Sequence, residues 1–176
     1  ESIPLWEEGA QIALNIGERA AEATIRDSWG EGLMKLGRYE DAQEQLEAGV
    51  QVASAVGNVR VLAHSYLNLS RVYLFQNKLE DAQEALAQAT ENANQLQLPF
   101  ISGVVERGHG DLILARLALP KDAPEKKTKK KADAKGKKTA SKSKTKGPTK
   151  AQIKEAMAQV EKHYRHAIET LETNGY

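Results

Sequence analysis

Cysteine is absent from the 176 residues, which excludes disulfide frameworks, thiolate metal sites and cysteine nucleophiles together. Aromatic residues are scarce, at 5% of the chain. No apolar run approaches the roughly 18 residues that a membrane span needs. The longest candidate, Leu112 to Leu119, is broken by Arg116. The first residues carry no signal-peptide pattern, so the expectation is a soluble, cytoplasmic chain. What is present is enough length for one domain that buries roughly two-thirds of its unfolded surface without covalent staples.

Net charge of one sign is also lacking: 25 Lys and Arg face 24 Asp and Glu, for a formal +1. The charges are not mixed evenly, however. Residues 121–150 hold 13 lysines against Asp122, Glu125 and Asp133, a local net of +10. The remaining 12 basic and 21 acidic residues give −9. The lysine tract has no Val, Ile, Leu or aromatic residue, so it has little apolar surface to offset the entropy of ordering its backbone. Like charges extend it further. It is expected to be a disordered insertion between folded segments.

The folded part repeats itself. At an offset of 40, Tyr39-Glu-Asp-Ala42 aligns with Leu79-Glu-Asp-Ala82, Gly17 with Gly57, and Gly9 with Gly49 and Ala89. Small residues align in Ala13, Ala53 and Ala93, in Ala23, Ala63 and Gly103, and in Gly30, Ser70 and Gly110. Bulky ones align in Trp6, Leu46 and Leu86, in Trp29 and Leu69, and in Leu33, Tyr73 and Ile113. The last segment joins at an offset of 118, which matches Tyr164, Ala167 and Gly175 to Leu46, Gly49 and Gly57. About 38 inserted residues therefore split the third hairpin at its connecting loop, where closure entropy grows only logarithmically with length.

Within each unit, small and bulky positions recur every three or four residues, which is helical spacing. Helices are expected near 4–16, 19–36, 40–56, 59–76, 80–96, 100–119 and 151–172, with Gly37 and Gly57 as C-terminal caps. A single hairpin cannot bury its apolar face, so the hairpins must stack. Residues 1–119 and 151–176 are then one helical domain, and 120–150 its insertion. The chain begins inside the second helix of a hairpin and stops at Asn174-Gly-Tyr176, which gives the expectation of a piece from a longer array.

The order of small residue, bulky residue, Gly-x-Tyr-x-x-Ala, bulky residue and Ala resembles the tetratricopeptide repeat. Gly30, Gly37, Tyr39, Ala42 and Leu46 carry the match in the first full unit. Ser70, Tyr73, Leu79, Ala82, Leu86 and Ala89 carry it in the second, and Gly110, Ile113, Tyr164 and Ala167 in the third. The resemblance implies an all-α fold, a right-handed superhelical stack of antiparallel helical hairpins with about seven helices. The forty-residue period is longer than the standard 34 and is similar to repeats of bacterial signal-transduction ATPases of the maltose-activator type. Eukaryotic scaffold proteins share that period. HEAT repeats share it too, but Gly-x-Tyr-Glu-Asp-Ala favours the tetratricopeptide reading.

The resemblance also implies a binding groove on the concave face, lined by the first helix of each hairpin. Its positions carry over to Thr24, Asp27, Glu31 and Met34 in the first unit, and to His64, Leu67, Asn68, Arg71 and Phe75 in the second. The third unit supplies Val104, Arg107 and Asp111. Chaperone-binding members place Lys and Asn where Asp27 and Glu31 stand, so a C-terminal carboxylate would be repelled here. An acidic entrance followed by Arg71 and Arg107 instead points to a protein or peptide segment of mixed charge. The bland alternative is a solvated helix face, with Arg107 and Asp111 as an i,i+4 pair.

Other chemistry is thinly represented. His163 and His166 have a spacing that can bind metal, but they flank core positions and read as an exposed pair, so no metal site is expected. Gly108-His-Gly-Asp111 resembles a phosphate loop yet falls inside a helix, with His109 in a packed slot. With no nucleophile triad, P-loop or acid/base pair, the expectation is a non-enzyme without cofactor that acts as an interaction or sensing arm of a regulator. The alternative is a polyanion-binding module. Its contacts would be Lys126, Lys127, Lys129, Lys130, Lys131, Lys137 and Lys138, binding nucleic acid through counterion release without base readout. A solubilising loop, or one docked on the chain's own −9 body, is the plainer reading of those lysines.

Overall fold

The structure, a computed structural model, describes residues 3–118 and 148–175. Seven helices occupy them: α1 (Ile3–Asn15), α2 (Arg19–Lys35), α3 (Tyr39–Val56), α4 (Val59–Phe75), α5 (Leu79–Gln95), α6 (Pro99–Ala118) and α7 (Lys150–Thr173). None of the described helices is long and apolar enough to cross a membrane. The elements follow the sequence expectation to within about two residues, because each boundary is set by local chemistry.

The turn between helices is one device used repeatedly. Positive φ recurs every twenty residues, at Gly17, Gly37, Gly57, Asn77 and Gln97. The following amide closes the turn onto the carbonyl five residues back, as in Glu18 to Ala13, Arg38 to Leu33, Asn58 to Ala53, Lys78 to Tyr73 and Leu98 to Ala93, at 2.8–3.0 Å. This is the Schellman geometry, which satisfies orphan carbonyls at a helix end. Turns within a hairpin and turns between hairpins are thus alike, and the forty-residue period is two twenty-residue helix units. The start of α7 is different. Thr149 and Gln152 form a reciprocal capping box there.

Packing is mainly between helices consecutive in the chain. The pairs α2–α3, α4–α5 and α6–α7 form the tightest contacts, and α1–α2, α3–α4 and α5–α6 join one hairpin to the next. Small residues let the helices approach. A Cβ on Gly30 would collide with the Leu46 side chain, and one on Gly110 would lie 2.5 Å from Tyr164 Cε1. These two contacts are equivalent once the insertion is removed, so Tyr164 does in the third hairpin what Leu46 does in the first. The Ala23, Ala42, Leu46, Ala53, Ala63, Ala82, Leu86, Ala89 and Ala93 side chains are completely buried. The core runs as three clusters along the array, each shared by three or four successive helices.

The first helices of the hairpins, α2, α4 and α6, also touch one another, whereas among the described residues α3 does not reach α5. The stack therefore curves, with α2, α4 and α6 on its inner side and α3, α5 and α7 on its outer side. Trp6 on α1, the bulky position aligned with Leu46 and Leu86, is half-buried and seated against Gly32.

Candidate functional site

The inner face is built by register. Because the repeat is 40 residues, Glu31, Arg71 and Asp111 occupy equivalent positions on α2, α4 and α6 and make an acid–base–acid row across the array. Asp27 lies one turn before Glu31, and Arg107 one turn before Asp111. On α4, His64, Asn68 and Arg71 follow at helical spacing along the same side.

A hydrogen-bonded chain links these residues. Asp27 Oδ1 accepts from Ser65 Oγ at 2.9 Å and from Asn68 Nδ2 at 3.4 Å, and Asn68 Oδ1 accepts from Arg71 Nη1 at 3.4 Å. Burial raises the Asp27 carboxyl above its ordinary range, against the lowering pull of the Ser65 hydroxyl and the nearby His64 and Asn68. Burial likewise lowers the Arg71 guanidinium, reinforced by the Arg107 charge and opposed by Glu31 and Asp111. The Arg71 guanidinium is thus partly removed from water, and it donates a hydrogen bond to a side-chain amide. Asp111 does not form the i,i+4 pair with Arg107 that the solvated-face alternative supposes. Its Oδ1 accepts the Tyr164 hydroxyl at 2.7 Å, which pushes the phenol up to about 12.

The structure brings together Asp27, Glu31, His64, Asn68, Arg71, Arg107 and Asp111, but not all as surface groups. Asn68 is buried at 4% exposure and holds Arg71 rather than facing solvent. Leu67 belongs to the core at 4%, and Phe75 stacks on Tyr39 with centroids 4.7 Å apart. Thr24 is exposed, and its hydroxyl returns to the Ala20 carbonyl of its own helix. Two members were missed. Ser65 is fully buried, so its polarity at a core-facing position was the available signal. Tyr164 holds a core position by repeat spacing, and its signal is a hydroxyl in a slot that Leu46 and Leu86 fill in the other units. A recess of about 240 Å³ beside Arg107 is lined by Gly103, Val104, Tyr164, Ala167, Ile168 and Leu171.

The histidines differ from expectation. His166 is exposed, but His163 is half-buried, with Nδ1 2.8 Å from Glu106 Oε2 and its ring stacked on His109 at 5.5 Å. His163 on α7 therefore faces α6 and makes an interhelical contact, which sets it apart from the exposed His166. No group of three or more His, Asp or Glu among the described residues is arranged to hold a metal ion. The segment 108–111 lies within α6, where Gly108 gives room to Leu86. Lys126, Lys127, Lys129, Lys130, Lys131, Lys137 and Lys138 lie outside the described residues.

Comparison with curated proteins and with solved structures gives no significant match. Comparison with protein-family models gives one over residues 20–95, the tetratricopeptide repeat. That span covers α2 to α5, the two hairpins that carry the Tyr39-Glu-Asp-Ala42 and Leu79-Glu-Asp-Ala82 signatures. Repeats of this family are non-catalytic scaffolds that mediate protein–protein interaction. Among the described residues, seven helices packed in consecutive antiparallel pairs make an all-α solenoid, and its residues 20–95 match the tetratricopeptide repeat.

Proposed function

We propose that the array is an interaction arm of a regulatory protein, holding a partner's polypeptide segment of mixed charge along the inner face of α2, α4 and α6. Glu31, Arg71, Arg107 and Asp111 are the contacting charges. Asn68 positions Arg71 from behind and is itself held by Asp27, which has His64 nearby. The observation that carries this reading is Arg71 itself, a partly desolvated guanidinium set between two carboxylates and a second guanidinium. Such a charge gains more from an incoming carboxylate or backbone carbonyl than a fully hydrated one would. The apolar recess beside Arg107 gives a partner side chain a place next to that charge. The regulatory role is supported by the resemblance of the forty-residue period to repeats of bacterial signal-transduction ATPases. Residues 1–119 and 151–176 act as one unit in this reading, with residues 120–150 as an insertion within it.

A photo-crosslinker placed at position 31 or 107 should capture the same partner, and one placed at the outer-face position 87 should not. Arg71→Glu with Arg107→Glu should lower partner affinity at least tenfold while leaving helicity intact. A partner set unchanged by the double reversal would overturn the inner-face reading.

A further inference from the structure

The outer side of the array carries a second recess, formed where α3 and α5 fail to meet. It is a cleft of about 670 Å³ whose floor is Leu69, Val50, Ala85 and the Tyr66 and Tyr73 rings. Its walls are amides and carboxylates, with Glu47 on α3 and Asp81 and Glu84 on α5. The Tyr73 hydroxyl donates to Glu47 Oε1 at 2.9 Å, and Gln43 Nε2 donates to the same oxygen at 2.6 Å. Burial and the charges of Glu47, Asp81 and Glu84 all push the Tyr73 phenol up. One ammonium already sits at the rim. Lys78 Nζ donates to Gln43 Oε1 at 2.9 Å and lies 5.6 Å from the centre of the Tyr73 ring. An ammonium is thus held at the rim by an amide oxygen and an aromatic ring that both line the cleft.

We propose that this cleft is the docking site of the chain's own lysine segment, residues 126–146, which lies against Glu47, Asp81 and Glu84. Charge complementarity is the first argument: the segment belongs to the +10 stretch, and the rest of the chain carries −9. Position is the second. Helices alternate in direction, so the end of α6 and the start of α7 lie at the same edge as the α4–α5 turn and the first turns of α5. Arg116, in the last turn of α6, hydrogen-bonds Gln83, the residue between the rest of α5's first turns and Glu84. The chain therefore leaves α6 at the rim of the cleft. Reach is the third. Residues 119–147 have a contour of about 100 Å at roughly 3.5 Å per residue, enough to cross to the cleft and return to α7. A tether of this length holds the segment at an effective concentration on the order of millimolar, so a weak contact is well populated.

The test is carbodiimide coupling of the intact chain, which joins a lysine amine to a carboxylate it touches, followed by peptide mapping. An equal mixture of ¹⁴N- and ¹⁵N-labelled chains separates links within one molecule from links between two. The expected result is links from Lys126–Lys146 concentrated on Glu47, Asp81 and Glu84, within one isotope population, and falling at least fivefold from low to 0.5 M salt, as screening of exposed charges requires. Glu84→Lys should remove most of these links without changing the thermal midpoint, since Glu84 is exposed. Links centred on Asp27, Glu31 and Asp111, links that follow carboxylate exposure alone, links between isotopes, or yields indifferent to salt would each overturn the proposal.

Discussion

Gln97 holds φ at 48°, a conformation that the earlier turns give to Gly17, Gly37 and Gly57, or to Asn77 at 56°. A left-handed residue with a Cβ costs about 1–2 kcal/mol, part of which glycine returns as unfolded-state entropy. Gln97→Gly should therefore raise stability by about 0.5–1 kcal/mol, and Gly57→Ala should lower it by about 1 kcal/mol. Paired urea midpoints check both. Asp27 makes a pH-dependent prediction. Its folded carboxyl titrates above the ordinary value of 3.8, so the native state binds its proton more tightly than the unfolded chain. The contribution of this group is most favourable below 3.8 and is lost as pH rises through the folded value. Asp27→Asn, which keeps an acceptor for Ser65, should be more stable than the parent at neutral pH, with the gain shrinking as pH falls towards 4. Urea titrations at pH 4 and 7 read this, and a gain that grows on acidification would contradict it. The position of Asp27 on the inner face was legible from helical spacing. Its burial was not, because that depends on how closely α4 approaches α2.

The α6–α7 hairpin shows how much one element pair depends on small residues. Tyr164 covers Gly110 while its hydroxyl is tied to Asp111, so the ring cannot slide aside for a larger residue. Gly110→Ala should lose about 1–3 kcal/mol through overpacking, more than the helix propensity of alanine restores. Urea unfolding of the variant checks it. The same hairpin carries an acid sensitivity. Burial and the His163 charge lower His109 below its ordinary 6.5, against the raising effect of Glu106. A lowered folded value means that the stability from this group is present above 6.5 and is lost as pH falls through the folded value. His109→Gln should flatten the loss of stability between pH 7.5 and 5.5, measured by urea midpoints at each pH. Pairing of α6 with α7 across the insertion was legible, since Tyr164, Ala167 and Gly175 keep the spacing of Leu46, Gly49 and Gly57. The Glu106–His163–His109 contact was not, because residues 57 apart carry no sequence sign of their rotation about two helix axes.

At the scale of the whole molecule, core clusters shared only by successive helices make stability a sum of local terms and not the property of one centre. Gly110→Val should accordingly speed amide exchange in α6 and α7 while α2 and α3 keep their protection. Native-state hydrogen exchange with fragment resolution measures this, and a uniform loss across α2 to α7 would contradict it. The formal charge of +1 describes neither face of such a molecule. The inner face carries a row of alternating charge around Arg71, the outer cleft is acidic, and the lysines are gathered in one stretch of sequence.

The amino-acid sequence by itself determined the helices, their period and their order of stacking. Those follow from short-range sterics: glycine or asparagine at four of the five positive-φ turns between helices, alanine and glycine where axes cross, leucine and tyrosine where the gap must be filled. It also determined that Tyr164 resumes the pattern that Gly110 leaves open. Only the tertiary structure decided that Ser65 and Asn68 hold Asp27 and Arg71, that Asp111 takes the Tyr164 hydroxyl, and that a cleft separates α3 from α5. Each of these depends on curvature and on the approach of helices about 40 or more residues apart in the chain, distances at which side-chain identity fixes composition but not contact.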